Sequence, residues 1–134
     1  MPKELCGQIQ FHASGASNAI ASDKFYRVEI VNLMVVPAII ELAVNGDLPT
    51  KSQCAMALAK FSCEPRNIAR MTRQDVQKAF VDLFHSQAPQ IIHEAVAGVA
   101  NFSRENEHFK NQIGKALFQD RYLNMIKIGC RFFV

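Results

Sequence analysis

The chain has 134 residues, of which 49% are hydrophobic, and its formal net charge is +3. This length and apolar content predict one globular domain and exclude an intrinsically disordered chain, because no stretch combines low hydrophobicity with high charge. The charge is small and the basic residues are scattered, so the composition does not favour nucleic-acid binding. The densest basic group is Arg66, Arg70 and Arg73, which we interpret as a solvated helix face.

The cysteines and the N-terminus indicate a cellular setting. Four cysteines form no CxxC pair, so we expect reduced thiols, no disulfide framework and no zinc site. Cys54 lies in an apolar stretch and is predicted to be a small core residue. The first residues lack the apolar segment of a signal peptide, and the longest apolar run, 33–40, is too short to cross a bilayer. We therefore expect a cytoplasmic protein without a membrane span, with nuclear or cytoskeletal association left open.

The first helix of the best-defined unit is predicted over about 24–33, with Ser22 and Asp23 available as caps. A second helix begins at Pro37, because proline in a first turn sets φ without losing a needed donor. Sustained strand-like alternation is absent from the sequence. These features predict an all-helical fold.

The second helix should stop at Gly46, where glycine accepts a left-handed cap. A longer third helix follows over about 51–62, and Pro65 and Pro89 mark the next helix starts. The segment 72–75, Thr-x-x-Asp, resembles a capping box with Asp in place of Glu.

The sequence repeats itself with a period of 41 to 42 residues. Residues 59–62, Ala-Lys-Phe-Ser, match 100–103, Ala-Asn-Phe-Ser. Residues 38–42 match 79–83 and, more loosely, 121–125. Periods of roughly 40 to 47 residues are typical of HEAT and armadillo units, in which two or three helices form each repeat.

Small residues recur at one third-helix position. Gly15 and Gly98 are equivalent, and Ala57 stands there in the middle repeat. Glycine costs up to about 1 kcal/mol inside a helix, so its recurrence predicts a close approach between helices. Descent of the repeats from one duplicated unit is the alternative explanation.

These residues resemble the armadillo-repeat family. The matching pattern comprises Asn18, Arg27, 30–31 and 36–42, and it continues through 95–103 and Ile113. The resemblance covers nearly the whole chain, and it implies an all-α, right-handed solenoid of three-helix repeats. HEAT repeats are the nearest structural alternative, and the three-helix division favours armadillo.

On this reading, residues 1–134 form one repeat domain of about three repeats with incomplete ends. It divides into a partial repeat at 1–22 consisting of a third helix, repeats at 23–63 and 64–104, and a partial repeat at 105–134.

The resemblance implies a concave groove lined by third helices, in which a recurring Asn holds the backbone of an extended peptide. That role falls to Asn18 and Asn101, and the alternative is that both are relics of the family pattern that cap local backbone. Lys60 stands at the middle position, where it either offers a cation to an acidic ligand or is a solvated lysine. The resemblance also assigns Ser14, Met56 and Ala97 to the groove, at the positions where nuclear-import members carry Trp. An import receptor is therefore not expected.

Motifs for catalysis are missing from the sequence. His93-Glu94 begins like a zinc-protease helix, but Ala97 stands where the second histidine is required. The sequence carries no phosphate-binding glycine loop and no GxSxG motif. We therefore expect neither an enzyme nor a metal or cofactor site.

The ends of the chain provide a second functional hypothesis. Repeat stacks need polar end caps, and Phe132, Phe133 and Val134 form an apolar tail instead. The chain is then a piece of a longer protein, or its ends dock on copies of itself or on a large assembly. The sequence thus predicts a non-catalytic module that binds a peptide or protein along its groove, and alternatively a structural subunit that stacks through its ends.

Overall fold

A computed structural model describes residues 2–118. The predicted end-stacking residues Phe132, Phe133 and Val134 lie outside this range. The described residues form eight helices and no strand, which confirms the predicted all-helical fold. The helices are α1 (Lys3–Ala21), α2 (Lys24–Asn32), α3 (Val36–Asn45), α4 (Leu48–Ser62), α5 (Pro65–Arg73), α6 (Val76–His85), α7 (Pro89–Glu105) and α8 (Glu107–Phe118).

Several helix starts follow the predicted local chemistry. The Asp23 carboxylate accepts a hydrogen bond from the Phe25 backbone N–H at 2.8 Å and caps α2. Proline stands in the first turn of α3, α4, α5 and α7. Because these signals act within one helical turn, the sequence alone predicts them.

Two predictions of helix-capping structure, at residues 72–75 and at Gly46, are wrong. The Thr72 hydroxyl donates to the Ile68 carbonyl at 2.7 Å, and the carboxylate of Asp75 does not cap α6 within the described chain, so there is no capping box. Gly46 has φ −76° and ψ 166°, which is extended and not left-handed. Glycine is needed there for space, because a Cβ atom would lie 2.5 Å from the Leu42 carbonyl oxygen and 2.7 Å from Cγ2 of Thr50.

The longest helices pack side by side, with α4 in contact with both α1 and α7. Helix α3 contacts α6, and α2 contacts α5, so helices three places apart in the chain meet. The core between α6, α7 and α8 is aromatic. The Phe102 ring packs edge-on to Phe80 and stacked on Phe109, with centroids 5.6 and 4.9 Å away. All three side chains are fully buried.

One unusual backbone conformation recurs with the sequence period. Met34 has φ 62° and Asp75 has φ 63°, and the two residues are 41 positions apart. Each lies in the turn before a helix of ten residues, α3 or α6. Non-glycine residues rarely adopt this left-handed region, so its recurrence marks two turns of the same build. Gln87, with φ 59°, has no such counterpart, because Gly46, 41 residues earlier, has φ −76°.

Gly98 and Gly15, the two glycines predicted to allow close packing, have different surroundings. A Cβ atom on Gly98 of α7 would lie 2.7 Å from two atoms of the Phe80 ring on α6, so the close approach is confirmed there. A Cβ atom on Gly15 of α1 would have no described atom within 4 Å. The close approach expected at Gly15 is therefore not made by the described residues.

Within residues 2–118, no single helix is long and apolar enough to cross a bilayer; α2 and α3 pass that test only together, as a pair bent by 90°.

Candidate binding surface on α1, α4 and α7

Asn18 on α1 is held between two polar side chains of α4. Its amide N–H donates to the Gln53 Oε1 atom at 2.8 Å and lies 3.4 Å from the Met56 sulfur. Its carbonyl Oδ1 accepts from the Lys60 ammonium at 2.7 Å. The two predicted groove residues Asn18 and Lys60 are thus in direct contact across the α1–α4 junction.

Lys60 makes a second bond to α1's C-terminal end. Its ammonium also donates to the Ser22 hydroxyl at 2.7 Å, and the Lys60 residue is half-buried. The side chain therefore lies along the helix junction and bridges two acceptors, both of them neutral. A neutral acceptor leaves the charge of the lysine uncompensated by these contacts.

Asn101 on α7 has a similar arrangement one helix further on. Its amide donates to the Ser62 hydroxyl of α4 at 3.0 Å and lies 3.8 Å from the sulfur of Cys63. Its Oδ1 accepts from the guanidinium of Arg104, which lies on the next turn of α7. At both asparagines, a neighbouring cation therefore takes the side-chain oxygen.

The remaining predicted groove positions are placed unequally. Ala97 is exposed on α7 and Met56 is half-buried on α4. Ser14 is fully buried, and its hydroxyl donates to the Phe11 carbonyl at 2.8 Å. Ser14 therefore lies beneath the surface and is corrected from a lining residue to a packing residue, because a small side chain with a satisfied hydroxyl fits inside.

The polar partners of the two asparagines were not predicted from the sequence. Gln53 and Arg104 are the main ones, and both lie on the same helix faces as the predicted residues. Gln53 precedes Lys60 by two helical turns, and Arg104 follows Asn101 by three residues. That helical spacing was a usable signal, since residues three, four or seven apart share a face. We define the groove surface as Asn18, Gln53, Met56, Lys60, Ala97, Asn101 and Arg104.

The basic cluster of the sequence lies on α5. Arg66 pairs with Glu64 at 2.8 Å, which raises the pKa of Arg66, and the hydrogen bond from Arg66 lowers the pKa of Glu64. Arg70 donates to Asn32 on α2, and Arg73 to the backbone of its own helix. These contacts leave the cluster separate from the groove surface.

Titratable groups of the core are few in the described range. Cys54 is fully buried, and desolvation by burial raises the pKa of its thiol to about 12. The thiol is thus protonated and inert at neutral pH, as expected for a core cysteine. Within residues 2–118, no group of three His, Cys, Asp or Glu side chains is placed to hold a metal ion.

An open cleft of about 1140 Å³ lies between the start of α1 and the turn that joins α3 to α4. Residues from Lys3 to Phe11 and from Asn45 to Pro49 contribute to its walls. No residue of the groove surface lines this cleft. The cleft is broad and shallow, so it does not resemble a small-molecule site, which normally encloses most of its ligand.

A scan against protein-family models, a search of curated proteins and a search of solved structures each found no match.

Proposed function

We propose that the chain is a right-handed solenoid of armadillo-type repeats that binds an extended peptide or protein along the groove surface. The order of long and short helices supports the repeat, since α1, α4 and α7 are the longest three of the helices described and lie three places apart. The recurring left-handed residue at Met34 and Asp75 supports the same period. We assign no reaction to the chain and propose that it acts in the cytoplasm.

The observation that carries the binding proposal is the pair of bridged asparagines. Asn18 and Asn101 each present an amide that donates across a helix junction and an oxygen that a cation holds. An asparagine side chain bonds a peptide backbone with the same two groups, one donor and one acceptor. The partners that hold these groups now are side chains with rotatable bonds, so a ligand backbone can replace them bond for bond.

The cations of the groove surface indicate the chemistry of the ligand. Lys60 and Arg104 bond to neutral amide oxygens. A carboxylate adds the attraction between opposite charges to such a hydrogen bond, which a neutral amide oxygen does not supply. A ligand carboxylate would therefore draw both cations away and free the asparagine oxygens for the ligand's backbone N–H groups. We accordingly expect ligands with acidic side chains.

Selection of binders from a displayed library of random peptides tests this proposal. Binding of the selected peptides is then measured by fluorescence anisotropy on the wild type and on an Asn18→Ala, Asn101→Ala double variant. We expect the dissociation constant to rise by about tenfold or more, because two hydrogen-bonding side chains are lost. A Lys60→Ala variant should also bind more weakly, with a smaller dependence of affinity on salt.

Matched controls lie on α8, where Asn111 and Lys110 are exposed. Asn111→Ala and Lys110→Ala should leave the affinity unchanged. If the selected peptides bind the double variant as tightly as the wild type, and both proteins have the same helix content, the groove surface is not the binding site.

A further inference from the structure

The turn between α2 and α3 is an exposed, apolar part of the molecule. The two helices meet there at 90°, and residues 30–40 carry no charged side chain. Val31 and Val36 are fully buried on either side of the turn, whereas Leu33 and Met34 between them are 70% and 63% exposed. The buried valines therefore fix the turn, and the fold holds two large apolar side chains in contact with solvent.

The equivalent turn of the next repeat is polar. Met34 and Asp75 are equivalent, share the left-handed conformation and are both exposed. Three residues further on, Pro37 and Lys78 are also equivalent and exposed. The turn at Asp75 has the α2–α3 turn before it, so these positions face outward even where another repeat precedes them. Where the second turn has aspartate and lysine, the first has methionine and proline.

We define the apolar corner as Leu33, Met34 and Pro37. Exposed apolar residues are common one at a time, but neighbouring ones at a fixed turn mark an interaction surface. The polar pair at the equivalent positions 75 and 78 shows that the repeat itself does not require apolar side chains there. The apolar corner therefore indicates a contact that is particular to the α2–α3 turn.

Two arginines of α5 lie beside the apolar corner. Arg70 donates to the side-chain oxygen of Asn32, which directly precedes the corner, and the Gln74 amide nitrogen lies 3.4 Å from the Met34 sulfur. Arg73 is exposed and lies between Arg70 and Gln74 in the chain, where it donates to the backbone of its own helix. In the described chain both arginines bond to neutral oxygens, which leave the two positive charges uncompensated by these contacts.

Three carboxylates also lie around the apolar corner, those of Glu29, Glu41 and Asp75. They balance the nearby cations of α5 and α6, so attraction to a charged surface at long range is weak. Arg70 and Arg73 are suited to act by direct contact instead. A guanidinium forms two parallel hydrogen bonds to one phosphate group, and this geometry gives an arginine–phosphate contact its specificity.

We propose that the apolar corner docks on the surface of a phospholipid bilayer. Its three side chains enter the boundary between headgroups and acyl chains, where they leave water, and Arg70 and Arg73 bind headgroup phosphates. A convex corner with arginines at its edge fits this boundary, which is apolar on the inner side and rich in phosphate on the outer side. A nucleic acid could use the arginines but gains nothing from the apolar corner. The corner lies on α2 and α3, so bilayer docking is independent of the groove surface.

Tryptophan fluorescence tests the proposal in the full-length chain, because the sequence contains no tryptophan. A Leu33→Trp variant is mixed with phosphatidylcholine–phosphatidylserine vesicles. Its emission should shift to shorter wavelength, and lipids brominated on their acyl chains should quench it. Leu48→Trp is the matched control, since Leu48 is 53% exposed at the start of α4, beyond the other end of α3. The emission of the control should not change.

Vesicle cosedimentation of variants without tryptophan measures the partition constant. A Leu33→Ser, Met34→Ser double variant should bind about tenfold more weakly or worse, because two apolar side chains no longer leave water. An Arg70→Gln, Arg73→Gln double variant should bind about fivefold more weakly or worse, because two headgroup contacts are lost. Lys110→Gln on α8 should bind as the wild type does. Circular dichroism of each variant confirms that it is folded.

Three results overturn the proposal. The first is a wild type that does not partition at millimolar lipid. The second is an equal emission shift at positions 33 and 48. The third is binding that requires the two arginines but not the apolar corner and that weakens steeply with salt, which indicates a nucleic acid or another polyanion as the partner.

Discussion

Helices α1 and α7 occupy equivalent places in the sequence repeat, yet one face of each meets different surroundings. On α7, Gly98 lies under the Phe80 ring and Ile92 packs against the core. On α1, Gly15 has open space and Ile9 is 49% exposed. The two helices have similar lengths and the same spacing of small and apolar residues. The repeat pattern therefore determines the local helix, whereas the neighbouring helix determines whether a face is buried.

The difference has an energetic consequence. Burial of apolar area contributes about 25 cal/mol per Å² to the free energy of unfolding, and only side chains that are removed from water on folding make this contribution. Substitutions at equivalent positions should then cost much more on the α7 side than on α1. The following changes test this difference in order of expected size.

The largest effect is expected from the aromatic cluster beside α7. Phe80→Ala removes a fully buried ring that contacts Phe102 and Phe109. Such truncations cost about 3–5 kcal/mol of unfolding free energy. Leu5→Ala at an exposed position of α1 should change it by less than about 0.5 kcal/mol, as exposed positions usually do. Urea denaturation at low protein concentration measures both; equal costs would show that α1 is buried as deeply as α7.

Replacement of Gly98 and of Gly15 by alanine should change the free energy of unfolding in opposite directions. Gly98→Ala places a methyl group against the Phe80 ring and should destabilise the fold by about 1–3 kcal/mol, as overpacking does. Gly15→Ala meets open space and should stabilise the fold by up to about 1 kcal/mol. The reason is that alanine has fewer backbone conformations than glycine in the unfolded chain, so less entropy is lost on folding. Thermal melting at low concentration measures the two shifts. A stabilising Gly98→Ala would mean that Phe80 moves aside freely.

The helices were predictable because their signals are local. Asp23, Pro37, Pro65 and Pro89 each act within one turn, and each stands at a helix start in the structure. Gly46 shows the limit of such reasoning. The sequence predicts a helix end there. Glycine is required because a Cβ atom would clash with the Leu42 carbonyl and the Thr50 side chain, and the position of Thr50 depends on how α4 folds back on α3.

The candidate site was predictable only in outline. The period placed Asn18, Lys60 and Asn101 on the long helices, and the structure brings Asn18 and Lys60 into contact. The bond of Asn18 to Gln53 and the burial of Ser14 depend on the distance and rotation between α1 and α4. A repeat period carries no information on either quantity, so these details came from the structure alone.

A smaller effect is expected at Lys51, the α4 residue that lies one period after Ile9 of α1. Its ammonium donates to the carbonyls of Ala43 and Val44 at the end of α3, at 2.6 and 3.1 Å, and pairs with Asp82 of α6 at 2.5 Å. A cation at a partly buried helix C-terminus contributes up to about 2 kcal/mol, so Lys51→Met should cost about 1–2 kcal/mol in urea denaturation.

The exposed Lys24 on α2 provides the control, and Lys24→Met should change the unfolding free energy by less than about 0.5 kcal/mol. If Lys51→Met also leaves the unfolding free energy unchanged, the carbonyls at the end of α3 are satisfied by solvent. The contacts of α4 at this position would then stabilise the fold no more than the exposed position on α1 does.

The smallest effect should have the same sign at the two equivalent turns before α3 and α6, because it arises within a turn. Met34 and Asp75 are exposed and hold left-handed backbone conformations, which cost an L-residue roughly 1–2 kcal/mol. Glycine removes that strain but adds its own unfolded-state entropy, so Met34→Gly should stabilise the fold by about 0.5–1 kcal/mol. Asp75→Gly should stabilise it by less, because aspartate tolerates the left-handed region better than methionine does. Thermal melting of both variants measures the effect, with Gln90→Gly at an exposed position of α7 as a helical control that should destabilise. A larger gain at Asp75 than at Met34 would mean that neighbouring helices, and not the turn itself, impose the left-handed conformation.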